Sequence, residues 1–147
     1  MFDTIFRAAL SPVLIAQALR VRRIAQSLPE AAGPRAGTLG CGPPLRLAVV
    51  GDSSAAGVGT RYQDDALIGQ LTKSLAQNFE VTWHLDAQTG ATTQSTLQRL
   101  EPATPRPVDV IITALGVNDV TRLIPATTWV GQQHALFTKL QALNRPG

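Results

Sequence analysis

The chain has a single cysteine, Cys41, so it forms no intrachain disulfide, and neither an oxidising nor a reducing compartment is demanded. "TLGC", ending at Cys41, faintly resembles a lipoprotein cleavage box. The "AAGPRAG" before it is not an apolar run, however, and Cys41 reads as a linker residue. One cysteine and two distant histidines cannot cluster into a metal site. Charged residues make up only 16%, yet 44% of the chain is hydrophobic, which argues for one packed domain rather than wholesale disorder. Aromatics are 5%, and the body carries no basic face, so nucleic acid is not an expected partner. Lysine is missing before Lys73, which removes the lysine of a phosphate-binding loop from the glycine-rich stretch at 51–60. Gly57 and Gly59 do not extend to a dinucleotide fingerprint, because position 62 is Tyr.

Long apolar runs are also lacking. The longest uncharged stretch of the N-terminal arm, residues 8–19, has twelve residues and contains Pro12. A membrane-spanning helix takes about 20. Residues 4–28 read as a helix whose arginines, Arg20, Arg22 and Arg23, follow the apolar part, the reverse of a secretory signal. The expectation is an N-terminal helix, residues 1–28, of a cytoplasmic protein, offering peripheral contact with anionic lipid through residues 4–28. The competing expectation is a helix packed on the domain or on a partner. Charge is split accordingly: residues 1–46 hold six arginines against Asp3 and Glu30, and the remainder is slightly acidic. The Gly/Pro-rich stretch 29–44 reads as a linker, and the domain proper as 45–147.

The body alternates between strand and helix patterns. "LRLAVV" (45–50) is an apolar strand. Residues 64–79 form a helix with Asp64 or Asp65 as cap, and "VTWHLDA" (81–87) a half-exposed strand suited to a sheet edge. A short helix is expected at 92–100, stopped by Pro102, Pro105 and Pro107. "VDVIITAL" (108–115) is an apolar strand covered on both faces, and 126–143 a long helix. This alternation implies a parallel sheet with helices on both sides. Right-handed crossovers bring all strand C-termini to one edge, where ligands bind. Three loops are therefore expected to cluster: "GDSS", "QTGATT" and "GVNDV".

Those loops carry the elements of ester chemistry. A serine attacks an acyl carbon only when donors hold the oxyanion that forms and a base removes the proton. Gly51 permits a sharp turn that sets Ser53 at the start of a helix, with free N–H groups around it. Gly90 lets a main-chain N–H be approached closely, and Asn118 offers a neutral NH₂ donor. Asp52 is expected to hydrogen-bond the turn backbone, Asp119 to brace the third loop, and Ser54 to be structural. The alternative for Ser53 is an ordinary helix cap, and for Asn118 a turn residue.

In "VVGDSSAAG", "DAQTGATT" and "ITALGVNDV" the sequence resembles the GDSL or SGNH hydrolases, over about residues 45–147. The resemblance implies a flavodoxin-like three-layer α/β/α sandwich with a parallel sheet. It also implies a serine hydrolase of carboxylic esters, with no cofactor and a small-molecule or lipid ester as substrate. Ser53 is then the nucleophile. The Ser53 and Gly90 N–H groups and the Asn118 side chain hold the oxyanion.

The family's fourth block, Asp-x-x-His, has no counterpart here. No Asp or Glu occurs after Asp119, His84 lies within a strand, and His134 lies in mid-helix. The chain shows three strands where the family has five. It is therefore expected to be truncated on its C-terminal side, with the catalytic Asp and His beyond residue 147. Two function classes fit these observations: an acyl hydrolase, and a non-catalytic, hydrolase-like binding or membrane-surface domain.

Overall fold

The computed structural model describes residues 28–100 and 107–144, together with 11–14, Ala16, Gln17, Arg20 and Ile24. The N-terminal helix expected at 4–28 lies mostly outside the described residues, and those placed within it up to Ile24 are helical. Among the described residues no helix is long and apolar enough to cross a membrane.

Four strands form one sheet in the order β1-β3-β2-β4: β1 Ala36–Leu39, β2 Pro44–Gly51, β3 Glu80–Ala87 and β4 Val110–Ala114. Strands β2, β3 and β4 are mutually parallel, and β1 runs antiparallel to β3. Helix α1 (Leu67–Leu75) covers one face; α2 (Thr93–Leu100) and α4 (Ala126–Leu143) cover the other, giving a three-layer α/β/α sandwich. The strand pleat explains the layering. Leu47 and Val49 point to the α1 face, where they meet Ile68, Val81 and Leu85; Val50 points to the other, against Leu100, Leu136 and Leu140.

In the sheet and its first helix the structure departs from expectation at four points. The stretch read as a linker, 29–44, contains β1, whose residues Ala36–Leu39 pair in register with His84 to Val81. Consequently β3 is not an edge strand; β1 covers it, and the parallel side ends instead at β4. Strand β4 is accordingly only half-buried, with Val110 41% exposed, where two-sided burial was expected. The helix expected from residue 64 begins at Leu67, after a separate 3-10 turn at Gln63–Asp65. Its cap is Ala66, which lacks a side-chain cap bond, rather than Asp64 or Asp65. The extended backbone of Ala66 (φ −81°, ψ 175°) breaks the helical run.

The entry of β4 is clamped to β2 from outside. Asp109 accepts hydrogen bonds from the Arg46 N–H (2.8 Å), Nε (3.1 Å) and Nη2 (2.7 Å), and its own N–H donates to the Arg46 carbonyl. These bonds, the side-chain ones first, pull the Asp109 carboxyl down to about 2. A carboxyl depressed in the folded state stabilises the fold above its unfolded value and ceases to do so as pH falls through the folded value. Asp109→Asn is therefore expected to be less stable than wild type at pH 5, with the gap closing between about pH 4 and pH 2. Urea titrations over this range check it, and a gap independent of pH would contradict it.

Candidate active site

The register of the parallel strands determines where the three loops start. Gly51 pairs with Ala87 on one side and Ala114 on the other, so β2, β3 and β4 end level. The ladder continues one bond further on each side: the Gln88 N–H donates to the Gly51 carbonyl (3.1 Å) and the Asp52 N–H to the Ala114 carbonyl (3.0 Å). Ser53, Gly90 and Asn118 then come within four residues of those level ends.

At Gly51 a Cβ would stand 2.4 Å from the Ala55 Cβ and 2.9 Å from the Ala114 carbonyl oxygen, so only glycine allows the chain to turn back there. The helix expected after Ser53 does not form. Residues 52–59 are turns, closed by Ala56 N–H to Asp52 C=O (2.9 Å) and Val58 N–H to Ser53 C=O (3.0 Å). Left-handed Gly57 (φ +78°) and Gly59 (φ +98°) end the helical trend. The polarity around Ser53 is thus set by individual N–H groups, not by a helix dipole. Its own N–H and its Oγ have no hydrogen-bond partner among the described residues.

Asp52 is 3% exposed, and its carboxylate is occupied. Oδ1 accepts from the Ser54 N–H (2.9 Å) and Ser54 Oγ (2.8 Å), and Oδ2 from Asn118 Nδ2 (3.4 Å). It therefore organises the turn and fixes Ser54, leaving Ser53 as the unengaged hydroxyl. The second loop is a β-turn closed by the Ala91 N–H on the Gln88 carbonyl (3.1 Å). Gly90 stands at its third position with φ +77°, which defines a type II turn. The N–H at that position is not used by the turn, and Gly90 N–H has no partner among the described residues. A Cβ on Gly90 would meet nothing within 4 Å, so glycine is required there by backbone conformation, not by space.

Asn118 lies in the first turn of a short helix, α3 (Val117–Thr121), where a loop was expected. Its Nδ2 donates to the Ala91 carbonyl at 3.0 Å and to Asp52 Oδ2 at 3.4 Å. One amide therefore touches the residue before Ser53 and the residue after Gly90, so all three loops meet. The next residue, Asp119, is 2% exposed and accepts from the Thr93 N–H (3.1 and 3.2 Å) and Thr93 Oγ1 (3.0 Å). Gln133 Nε2 donates to the same hydroxyl (2.9 Å), which ties α4 into the brace.

The histidines stay apart from this cluster. His84 lines a cavity of about 580 Å³ between the sheet and the α2/α4 layer, with Ala48, Val50, Leu100, Ile111 and Leu140, and His134 is exposed on α4. Among the described residues no group of three metal-ligating side chains occurs.

Two contributors were not singled out in the sequence. Gln63 is 1% exposed; its Nε2 donates to the Ala31 carbonyl (3.2 Å) and the Ala56 carbonyl (3.1 Å), holding the Ser53 turn against the preceding segment. Arg122, at the C-cap of α3, donates from Nη2 to the Gly90 carbonyl at 3.1 Å. Only its place four residues after Asn118, one helical turn along, hinted at proximity.

In a doubly wound α/β sandwich the edge where polar loops meet at the strand C-termini is where ligands bind. The profile of the GDSL-like Lipase/Acylhydrolase family matches residues 49–146, and the chain belongs to that family. No curated protein matches significantly. Among solved structures, it is similar to AlinE4, an SGNH-hydrolase family esterase (23% identity, TM-score 0.60, 72% of this chain and 58% of that one). It is also similar to TesA (24%, TM-score 0.58, 67% and 56%). A third is the psychrotrophic esterase EstA from Pseudoalteromonas sp., inhibited by monoethylphosphonate (23%, TM-score 0.54, 67% and 55%). The chain thus spans a little over half the length of the structures it matches.

Removing the Asp119 carboxylate strands the buried N–H and hydroxyl of Thr93. Asp119→Ala is expected to cost about 2–3 kcal/mol of stability, measured by urea unfolding. A loss under about 0.5 kcal/mol would show that the brace carries little.

Proposed function

We propose that the protein is a serine hydrolase of carboxylic esters, acting on a small-molecule or lipid ester through an acyl-enzyme. The observation that supports this reading is that the loops bearing Ser53, Gly90 and Asn118 leave level strand ends and are joined through the Asn118 amide, with the Ser53 and Gly90 N–H groups unpaired among the described residues, in a chain of this family.

Ser53 Oγ attacks the acyl carbon and its proton passes to a base. The carbonyl oxygen becomes an oxyanion held by the Ser53 and Gly90 N–H groups and by Asn118 Nδ2. The Asn118 amide is suited to this. Its 3.0 Å bond to the Ala91 carbonyl anchors the group, and the 3.4 Å contact with Asp52 is long enough to yield that hydrogen to the substrate. Collapse of the tetrahedral adduct expels the alcohol with a proton and leaves an acyl-serine. Water then adds to the acyl carbon, and the acid departs as Ser53 regains its hydrogen.

His84 stands opposite Ala48, three residues back from the level strand ends, and His134 is exposed on α4; a serine working without a general base loses on the order of 10²–10⁴ in rate. The same observation favours the second reading, a hydrolase-like binding or membrane-surface domain without turnover. The two readings part on activated esters, whose good leaving groups react slowly even without a resident base. The chain is expected to hydrolyse p-nitrophenyl acetate slowly, to speed up with added imidazole, and to lose both rates in Ser53→Ala. Asn118→Ala is expected to lower kcat by about 10²–10³. Equal rates for wild type and Ser53→Ala would leave the binding reading.

A further inference from the structure

The segment before the family-matched stretch is built into the site. It laces onto the nucleophile turn through Ala31 N–H to the Ala56 carbonyl (3.2 Å) and through Gln63. It laces onto β3 through Leu85 N–H to the Arg35 carbonyl (2.7 Å) and Arg35 Nη1 to the Ala87 carbonyl (2.6 Å). Most specifically, Glu30 reaches across 59 residues of sequence to the second loop. Its Oε1 accepts from both the Thr89 N–H (2.7 Å) and Thr89 Oγ1 (2.8 Å), while Oε2 pairs with Arg35.

We infer that Glu30 is a positioning residue for the oxyanion turn, acting from outside the family domain: with Arg122 it fixes the two peptide planes that flank the one carrying the Gly90 N–H. The inference deepens the reading of this site as an ester hydrolase and rests on it for its functional half.

The geometry of the turn supplies the reason. Three successive peptide planes run through Thr89 and Gly90. Glu30 holds the first by the Thr89 N–H, and Arg122 holds the third by the Gly90 carbonyl (3.1 Å). The middle plane bears the Gly90 N–H and is bonded to nothing among the described residues. A type II turn converts to type I by rotating just that plane, which would turn the N–H away. The Thr89 hydroxyl, bonded to the same carboxylate oxygen, fixes the side chain beside the pivot. The carboxylate is engaged enough for its pKa to be lowered, chiefly by the Thr89 N–H. Losing Glu30 leaves the turn closed by its Ala91 bond but free to sample the other plane orientation.

The test uses the 147-residue chain with Glu30→Ala and Glu30→Gln, the latter keeping a carbonyl acceptor. Hydrogen–deuterium exchange of the Thr89 amide is read by NMR, and p-nitrophenyl acetate kinetics are read beside Ser53→Ala. In Glu30→Ala, Thr89 exchange should rise at least about tenfold, without comparable change in β2. Its kcat should fall on the order of tenfold with KM nearly unchanged, less than the ~10²–10³ of losing a donor outright. Glu30→Gln should restore most of both. Unchanged Thr89 exchange in Glu30→Ala, or lost protection with unchanged kcat, overturns the inference. A wild type no faster than Ser53→Ala overturns the hydrolase reading instead, and the exchange data alone then decide whether Glu30 holds the turn.

Discussion

The site depends on the main-chain register of the three parallel strands. Because Gly51 pairs with both Ala87 and Ala114, three loops from distant parts of the sequence leave the sheet at one height. A slip of one residue in either pairing would move its loop about 3.3 Å along the strand and reverse every side chain between the two faces. The opposed cores resist this. Leu47 and Val49 bury against α1, Val50 against α2 and α4, so neither face tolerates the exchange.

Level ends alone do not orient donors. That role falls to two buried carboxylates and to glycines. Asp52 and Asp119 sit beside Ser53 and Asn118, and each spends its acceptor capacity on the loops: Asp52 on Ser54 and Asn118, Asp119 on Thr93. A buried charge without such partners would be costly; with them it locks a loop geometry. Gly51 and Gly90 supply what carboxylates cannot, a sharp exit from a strand and a left-handed turn position. The outcome is a site in which Ser54 is tied down and Ser53 is not, although the two are adjacent in sequence.

Much of this was legible in the sequence. Strand–helix alternation brought the three loops to one sheet edge, where the Asn118 amide joins them, and the long helix read at 126–143 is α4. What was not legible is non-local. Strand β1 lies in a Gly/Pro-rich stretch, all four of its residues are exposed, and it exists through pairing with β3 rather than through an apolar pattern of its own. Its presence is also why the half-exposed pattern of β3 does not mark an edge. The strap residue Glu30 is a partly exposed acid whose partner lies 59 positions away, and no local spacing signals such a contact. The turn after Ser53 begins like a helix and fails at Gly57 and Gly59, whose left-handed conformations are visible only in three dimensions.

Esterase chemistry at this site requires one oxyanion to fit simultaneously against Ser53, Gly90 and Asn118. The most direct measurement is a crystal structure of the protein after reaction with an ethyl phosphonate ester, whose phosphonyl oxygen mimics that charge. Phosphorus is predicted on Ser53 Oγ, with the phosphonyl oxygen within about 3.1 Å of the Ser53 N, Gly90 N and Asn118 Nδ2. An adduct on Ser54, no adduct at all, or a phosphonyl oxygen turned away from Gly90 and Asn118 would contradict it.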